Sequence, residues 1–211
     1  MSTWRWDRFQ GSPHVLKYLR RDLPCLDAVI ARVSGRTAVI QAGGNVGLFA
    51  KRLAESFATV YTFEPALELF PALCANAPEP NILRFQAALG DTRGPVRISG
   101  ARRCSSRGPT HEGLGHVAGP GVVPTLLIDD LALPVCDLIY LDLEGWEWHA
   151  LKGAVETIQR CRPVLACEVN QNIGFYGESQ DGLRAFIAAL GYVRVDQQQS
   201  DEVFMPLERA A

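Results

Sequence analysis

Thr37-Ala-Val-Ile-Gln-Ala-Gly-Gly-Asn-Val-Gly-Leu-Phe-Ala50 is the stretch on which the reading of this chain turns. The apolar run Ala38–Ala42 predicts a strand, Gly43, Gly44 and Gly47 a tight turn, and the residues from Val46 to Phe57 a helix. Glycines let a backbone bend sharply and approach a ligand, and a helix start offers unpaired N–H groups, so strand, turn and helix together predict a nucleotide cradle. The dinucleotide pattern G-x-G-x-x-G fails in both registers. From Gly43 it would need glycine at Asn45 and Leu48, and from Gly44 at Val46 and Phe49.

About twenty residues on, Thr59-Val-Tyr-Thr-Phe-Glu-Pro65 predicts a second strand ending in a carboxylate. An acid at that tip is placed to bind both hydroxyls of a ribose. A glycine turn with Glu64 but without the pyrophosphate glycines points to a nucleoside ligand lacking a diphosphate, and S-adenosylmethionine (SAM) fits. Downstream, Ile82–Leu89 predicts strand three, Val123–Ile128 a short strand, Cys136–Asp142 and Pro163–Glu168 two more, with helices between. Such alternation predicts a parallel sheet flanked by helices. Tyr192–Val195 and Glu202–Met205 read as closing strands, the last one antiparallel. Gln41, Glu64, Asp142, Glu144 and Glu168 fall at or just after strand ends, where ligands sit in open parallel sheets.

Composition narrows the class. At 211 residues and 23.1 kDa one domain is expected, and 47% apolar with 21% charged residues is ordinary for a globular protein. A net charge of −2 gives no pull toward nucleic acid or an anionic membrane. The opening Met-Ser-Thr-Trp-Arg-Trp-Asp-Arg lacks an apolar signal core, no run reaches membrane-span length, and the expected location is cytoplasmic. The six cysteines stand singly, which predicts reduced thiols rather than a disulfide framework or zinc site. Trp4-Arg-Trp-Asp-Arg-Phe9 reads as an aromatic segment that packs on the domain or contacts substrate, and Pro13–Val33 as a helix or helix pair broken near Pro24. The stretch from Ser99 to Val122, with Arg102, Arg103, Arg107, His111 and His116, shows no periodicity and reads as a long loop; its histidines lack metal-ligand spacing.

Taken in order, Val39-Ile-Gln-Ala-Gly-Gly-Asn-Val-Gly47, Phe63-Glu-Pro65, Ala87-Ala-Leu-Gly-Asp91, Ile128-Asp-Asp-Leu131, Leu141-Asp-Leu-Glu-Gly145, Leu151-Lys-Gly-Ala154 and the Pro163–Glu168 strand resemble the FkbM-type SAM-dependent methyltransferases. The resemblance implies a class I methyltransferase fold, a Rossmann-like, seven-stranded, mostly parallel sheet with an antiparallel last strand. That domain would span 37–211, with 1–36 an N-terminal helical and aromatic segment packing on or capping the site. It also implies methyl transfer from SAM, which becomes S-adenosylhomocysteine (SAH), to a hydroxyl of a small-molecule or carbohydrate-like acceptor. Gly43, Gly44, Asn45 and Gly47 would wrap the methionine end and ribose of SAM, Glu64 would bind the ribose hydroxyls, Gln86 and Ala87 would border the adenine, and Asp142 would lie near the methyl group. Gln41 stands where the family's first strand usually ends in aspartate; its oxygen can still accept a hydrogen bond but carries no charge.

Asp142, Glu144 and His149 are the candidates for base or acceptor orientation. Three alternatives share the scaffold. A Mg²⁺-assisted transfer would use Asp142, Glu168 and Asn170, since hard oxygen ligands suit that ion. A non-catalytic SAM-binding module is motivated by Gln41. An NAD(P)-dependent enzyme is disfavoured by Asn45 and Leu48.

Overall fold

Strand β1 (Ala38–Ala42) is buried along its whole length, as a central parallel strand with helices over both faces must be. The computed structural model to which it belongs describes residues 21–99 and 115–210. In chain order β1 is followed by β2 (Thr59–Phe63), β3 (Ile82–Phe85), β4 (Ala88–Leu89), β5 (Gly94–Ser99) and β6 (His116–Pro120). Then come β7 (Val123–Leu126), β8 (Leu138–Leu141), β9 (Val164–Glu168), β10 (Tyr192–Gln198) and β11 (Asp201–Pro206). The helices are α1 (Leu23–Ala31), α2 (Leu48–Ala54), α3 (Phe70–Asn76), α4 (Glu147–Lys152), α5 (Val155–Cys161) and α6 (Gln180–Ala189).

Seven strands form the main sheet in the order β10-β11-β9-β8-β1-β2-β3, parallel except for β11, which runs antiparallel between β9 and β10. Because side chains alternate across a strand, neighbouring residues feed two separate cores. Ile40, Ala42, Ile139 and Leu141 pack with Ala150, Leu151, Ile158, Leu183 and Ile187 of α4 to α6. Val39, Leu138 and Tyr140 pack on the other face with Leu26, Val29 and Ile30 of α1 and with Ala50 and Leu53 of α2. The chain order reverses between β1 and β8, so the carboxyl ends of β1, β2 and β8 open a crevice at that point.

Several elements differ from the sequence expectation, each for a local reason. The single expected strand Ile82–Leu89 is two, since the chain leaves the main sheet after Phe85 and Ala88–Leu89 pairs with β7 in a second, four-stranded sheet, β4-β7-β5-β6. The stretch from Ser99 to Val122 is not all loop: β6 pairs antiparallel with β5, and His116 lies in it opposite Ser99. Arg102, Arg103, Arg107 and His111, like Trp4–Phe9 and the expected helix before Arg21, lie outside the described residues. The helical stretch after β8 is broken at Gly153, between α4 and α5, where a Cβ would stand 2.0 Å from the Gly90 carbonyl oxygen. It restarts because the Asp129 carboxylate accepts the N–H groups of Glu156 (3.1 Å) and Thr157 (2.7 Å), which caps α5. Pro24 is the second residue of α1, in the first turn, where proline is tolerated. No helix among the described residues is long and apolar enough to cross a membrane.

The insertion of β11 carries a buried charge. Glu202, 1% exposed, accepts from Arg184 Nε and Nη2 (2.6–3.2 Å) and from Arg194 Nη1 (3.1 Å). Removing a partner from a buried charged acceptor exposes its desolvation penalty. Arg184→Ala is therefore expected to lower unfolding free energy by about 2–3 kcal/mol in urea denaturation, with Arg184→Lys losing less.

Candidate active site

The glycine turn is built from beneath. Gly43 and Gly44 donate their N–H groups to the Phe63 carbonyl at 3.1 and 2.8 Å, tying the end of β1 to the end of β2. Gly43 has a φ of +86°, and a Cβ on it would meet the Asp142 carbonyl oxygen at 2.1 Å. Gln41 is fully buried: its Oε1 accepts from Thr62 Oγ1 (2.5 Å) and its Nε2 donates to the Gly43 carbonyl (2.9 Å). Both ends of the amide are thus used to brace the turn, and Gln41 lines neither of the two cavities described below. A carboxylate there could not donate to Gly43.

Glu64, at the tip of β2, is 5% exposed, and its two oxygens accept the backbone N–H groups of Asn45 (2.6 Å, to Oε2) and Ala66 (2.8 Å, to Oε1). Asn45 reaches this bond from a left-handed conformation, φ +45°. Burial pushes the Glu64 carboxyl up to about 7, against the lowering effect of those two N–H donors.

These residues open onto a cleft of about 740 Å³. Gly43, Asn45, Glu64 and Ala87 line it, whereas Gly44, Gly47 and Gln86 do not. Gly44 and Gly47 instead let the turn pack on Leu73: a Cβ on Gly44 would lie 2.3 Å from Leu73 Cδ1, and one on Gly47 3.2 Å from the Leu73 carbonyl oxygen. The lining also has an apolar part, with Leu89, Ile98 and Val117 from the second sheet and Trp146 from the loop after β8. Trp146 is held by its indole N–H donating to the Leu89 carbonyl (2.9 Å), by face-to-face stacking on His149 (centroids 3.7 Å) and by the edge of Tyr176 (4.7 Å). His149 Nδ1 in turn lies 3.1 Å from Asp91 Oδ2. His149 lines neither cavity and stands behind the tryptophan.

Asp142 and Glu144, on the loop after β8, line this cleft and also a second, polar cavity of about 570 Å³. The second cavity is walled by Glu168 at the end of β9, Ser200 and Asp201 at the start of β11, Tyr140, and Arg21, Asp22 and Cys25 near α1. Tyr140 donates its hydroxyl to Asp201 Oδ2, and Ser200 Oγ donates to Glu168 Oε1 at 3.0 Å. Burial, followed by the like charges of Glu168, Asp201, Glu144 and Glu147, raises the Asp142 carboxyl well above the usual carboxylate range. Asp201 is pushed up to about 6 and Glu147 to about 8, in both cases first by burial.

Asp142, Glu144 and Glu168 each offer an oxygen within 4.8 Å of the others, a donor set that suits a hard divalent cation. Asn170, the other expected oxygen donor, uses its Oδ1 to accept the Asn172 N–H at 2.7 Å. The paired acids of Ile128–Leu131 serve the fold, Asp129 capping α5 and Asp130 pairing with Arg93. Sequence reasoning passed over Trp146, Tyr140, Asp201 and Glu147. Only Glu147 carried a local signal, an acid three residues beyond Glu144 at the start of a helix.

The chain matches the family model of the methyltransferase FkbM domain over residues 41–194. Among solved structures it is similar to the methyltransferase FkbM from Methylobacillus flagellatus KT, with 14% identity and a TM-score of 0.49 over 90% of this chain and 60% of that one. It is similar also to the N-methyltransferase NodS from Bradyrhizobium japonicum WM9 in complex with SAH, with 8% identity and a TM-score of 0.49 over 97% of both chains. A third is magnesium protoporphyrin IX methyltransferase from Synechocystis PCC 6803 with bound SAM, with 12% identity and a TM-score of 0.48 over 87% of this chain and 77% of that one. No curated protein matches the chain in sequence. The matched span takes in most of the chain, from the last residues of β1 into β10, and with it the glycine turn and the acids at the ends of β2, β8 and β9: the chain belongs to the FkbM methyltransferase family.

Proposed function

We propose that this protein transfers the methyl group of SAM to a hydroxyl oxygen of a small, hydroxyl-rich acceptor such as a carbohydrate. The observation that carries the reading is that Asp142 and Glu144 line both cavities. A cofactor whose ribose lies on Glu64 in the first cleft would point its sulfonium toward these carboxylates. An acceptor in the second cavity would meet it there. In the transfer the C–S bond of SAM breaks as the C–O bond forms, SAH leaves, and the hydroxyl proton passes to a carboxylate. Asp142 is the candidate to receive that proton by its place in both cavities, with Glu144 orienting the acceptor. His149 acts as the support of Trp146. SAM is already activated, so the protein's main task is alignment and exclusion of water. The carboxylates of the second cavity match hydroxyl donors and disfavour an anionic acceptor. Arg21, Asp22 and Cys25 in its wall support a capping role for the N-terminal segment.

A Mg²⁺ ion is a second reading, supported by the mutual spacing of Asp142, Glu144 and Glu168. When bound, such an ion supplies Lewis acidity that makes a hydroxyl easier to deprotonate. Calorimetric titration with SAM, SAH and NADH tests the cofactor. Binding of the first two alone is expected, and NADH binding without SAM overturns the reading. A screen of sugars and polyols with labelled SAM, run with and without EDTA, then separates the carboxylate-only from the Mg²⁺ reading. Tight SAM binding without methylation of any acceptor would turn the assignment to a SAM-binding module.

A further inference from the structure

We infer that Glu147 is a positioning residue: from the first turn of α4 its carboxyl clamps the loop that carries Asp142 and Glu144, and so holds the cofactor cleft in shape. The inference rests on the cofactor reading above for its effect on binding, and on geometry alone for the clamp. Glu147 is fully buried, and its Oε1 accepts the backbone N–H groups of Leu143 (2.6 Å) and Gly145 (3.4 Å). Those two donors bracket Glu144, which holds a left-handed φ of +54°, followed by Gly145 at +99°. A non-glycine residue in that region costs about 1–2 kcal/mol and persists only where its surroundings enforce it.

Two sets of contacts enforce it. On the inner side stands the Glu147 oxygen. On the outer side Asn172 Nδ2 donates to Glu144 Oε2 at 2.9 Å, while the Asn172 backbone presses so close that a Cβ on Gly145 would lie 2.4 Å from it. The loop supplies Asp142, Leu143, Glu144 and Trp146 to the wall of the cleft. Loss of the inner contact leaves two N–H groups, the Gly145 one buried and the Leu143 one partly so, without that acceptor and frees Glu144 to return to an ordinary conformation.

Full-length Glu147→Gln and Glu147→Met separate positioning from bulk. Glutamine keeps an acceptor oxygen at the same place, and methionine fills the space without one. SAH affinity by calorimetry and amide hydrogen exchange of residues 143–146 are the readouts. Glu147→Gln is expected within about threefold of wild type on both. Glu147→Met is expected to bind SAH at least about tenfold more weakly and to exchange faster at 143–146, with β1 and β8 still protected. Wild-type affinity and exchange in Glu147→Met would overturn the inference, as would equal losses in both variants. If wild type itself binds no SAH, the cofactor reading fails and the exchange data alone decide the clamp.

Discussion

Glu64→Ala is expected to weaken SAH binding by an order of magnitude or more, because it removes the acceptor proposed for the ribose hydroxyls and the acceptor of two N–H groups of the glycine turn and its neighbour. Glu64→Gln keeps one acceptor oxygen and should fall between the two. The pH dependence makes the assignment specific. In the cofactor-free protein the Glu64 carboxyl is raised to about 7, and ribose hydroxyls require an acceptor, which the ionised form provides on both oxygens. If only the ionised form binds well, affinity should fall about tenfold from pH 8 to pH 6, and the fall should vanish in Glu64→Gln. Stability of the unliganded protein moves the other way. The folded state holds the Glu64 proton more tightly than the unfolded chain, so its contribution is full below the unfolded value of 4.5 and is lost as pH rises through about 7. A pH-independent Kd in wild-type protein together with unchanged SAH affinity in Glu64→Ala would remove Glu64 from the ribose site.

Gly43→Ala should be the most damaging small substitution in the cradle. At φ +86° an alanine is strained by about 1–2 kcal/mol. Its Cβ would also overlap the Asp142 carbonyl oxygen at 2.1 Å, backbone that the Asp142 N–H bond to Ala42 (3.1 Å) holds in place. A total loss of about 3 kcal/mol or more, read as a Tm lower by about 6–12 °C, is expected, with SAH affinity down about a hundredfold. Gly177→Ala is the control: it shares a positive φ, +77°, but a Cβ there meets nothing within 4 Å. It should cost only the conformational strain and leave SAH binding unchanged. Equal effects of the two substitutions would show that contact with Asp142 is not what Gly43 is for.

The strands and the acids at their tips were legible because they are written in local pattern. The five buried residues of β1, the turn glycines and the acid after β2 each announce themselves within a few residues. The roles of Gln41 and His149 were not, because each is set by a partner far along the chain. Position at the end of β1 marks Gln41 as a candidate cofactor contact. Its amide bonds to Thr62, 21 residues away, and to Gly43, which the position alone does not show. His149 lies only five residues beyond Glu144, yet Asp91 and Trp146 hold it behind the cleft wall.

By itself, then, the sequence determined the alternating architecture, the glycine turn and the carboxylates at the ends of β2, β8 and β9, since short apolar runs, turn chemistry and strand termini are all properties of short segments. Only the tertiary structure decided which of those groups share a cavity. The antiparallel entry of β11 brings Asp201 opposite Glu168, 33 positions earlier in the chain, and makes the second cavity acidic. The pairing of β5 with β7, and of β6 with β5, supplies Ile98 and Val117 to the cleft that Glu64 also lines. Both depend on pairing between distant strands, and strand order and register are fixed by the burial of the whole sheet rather than by any one stretch of it.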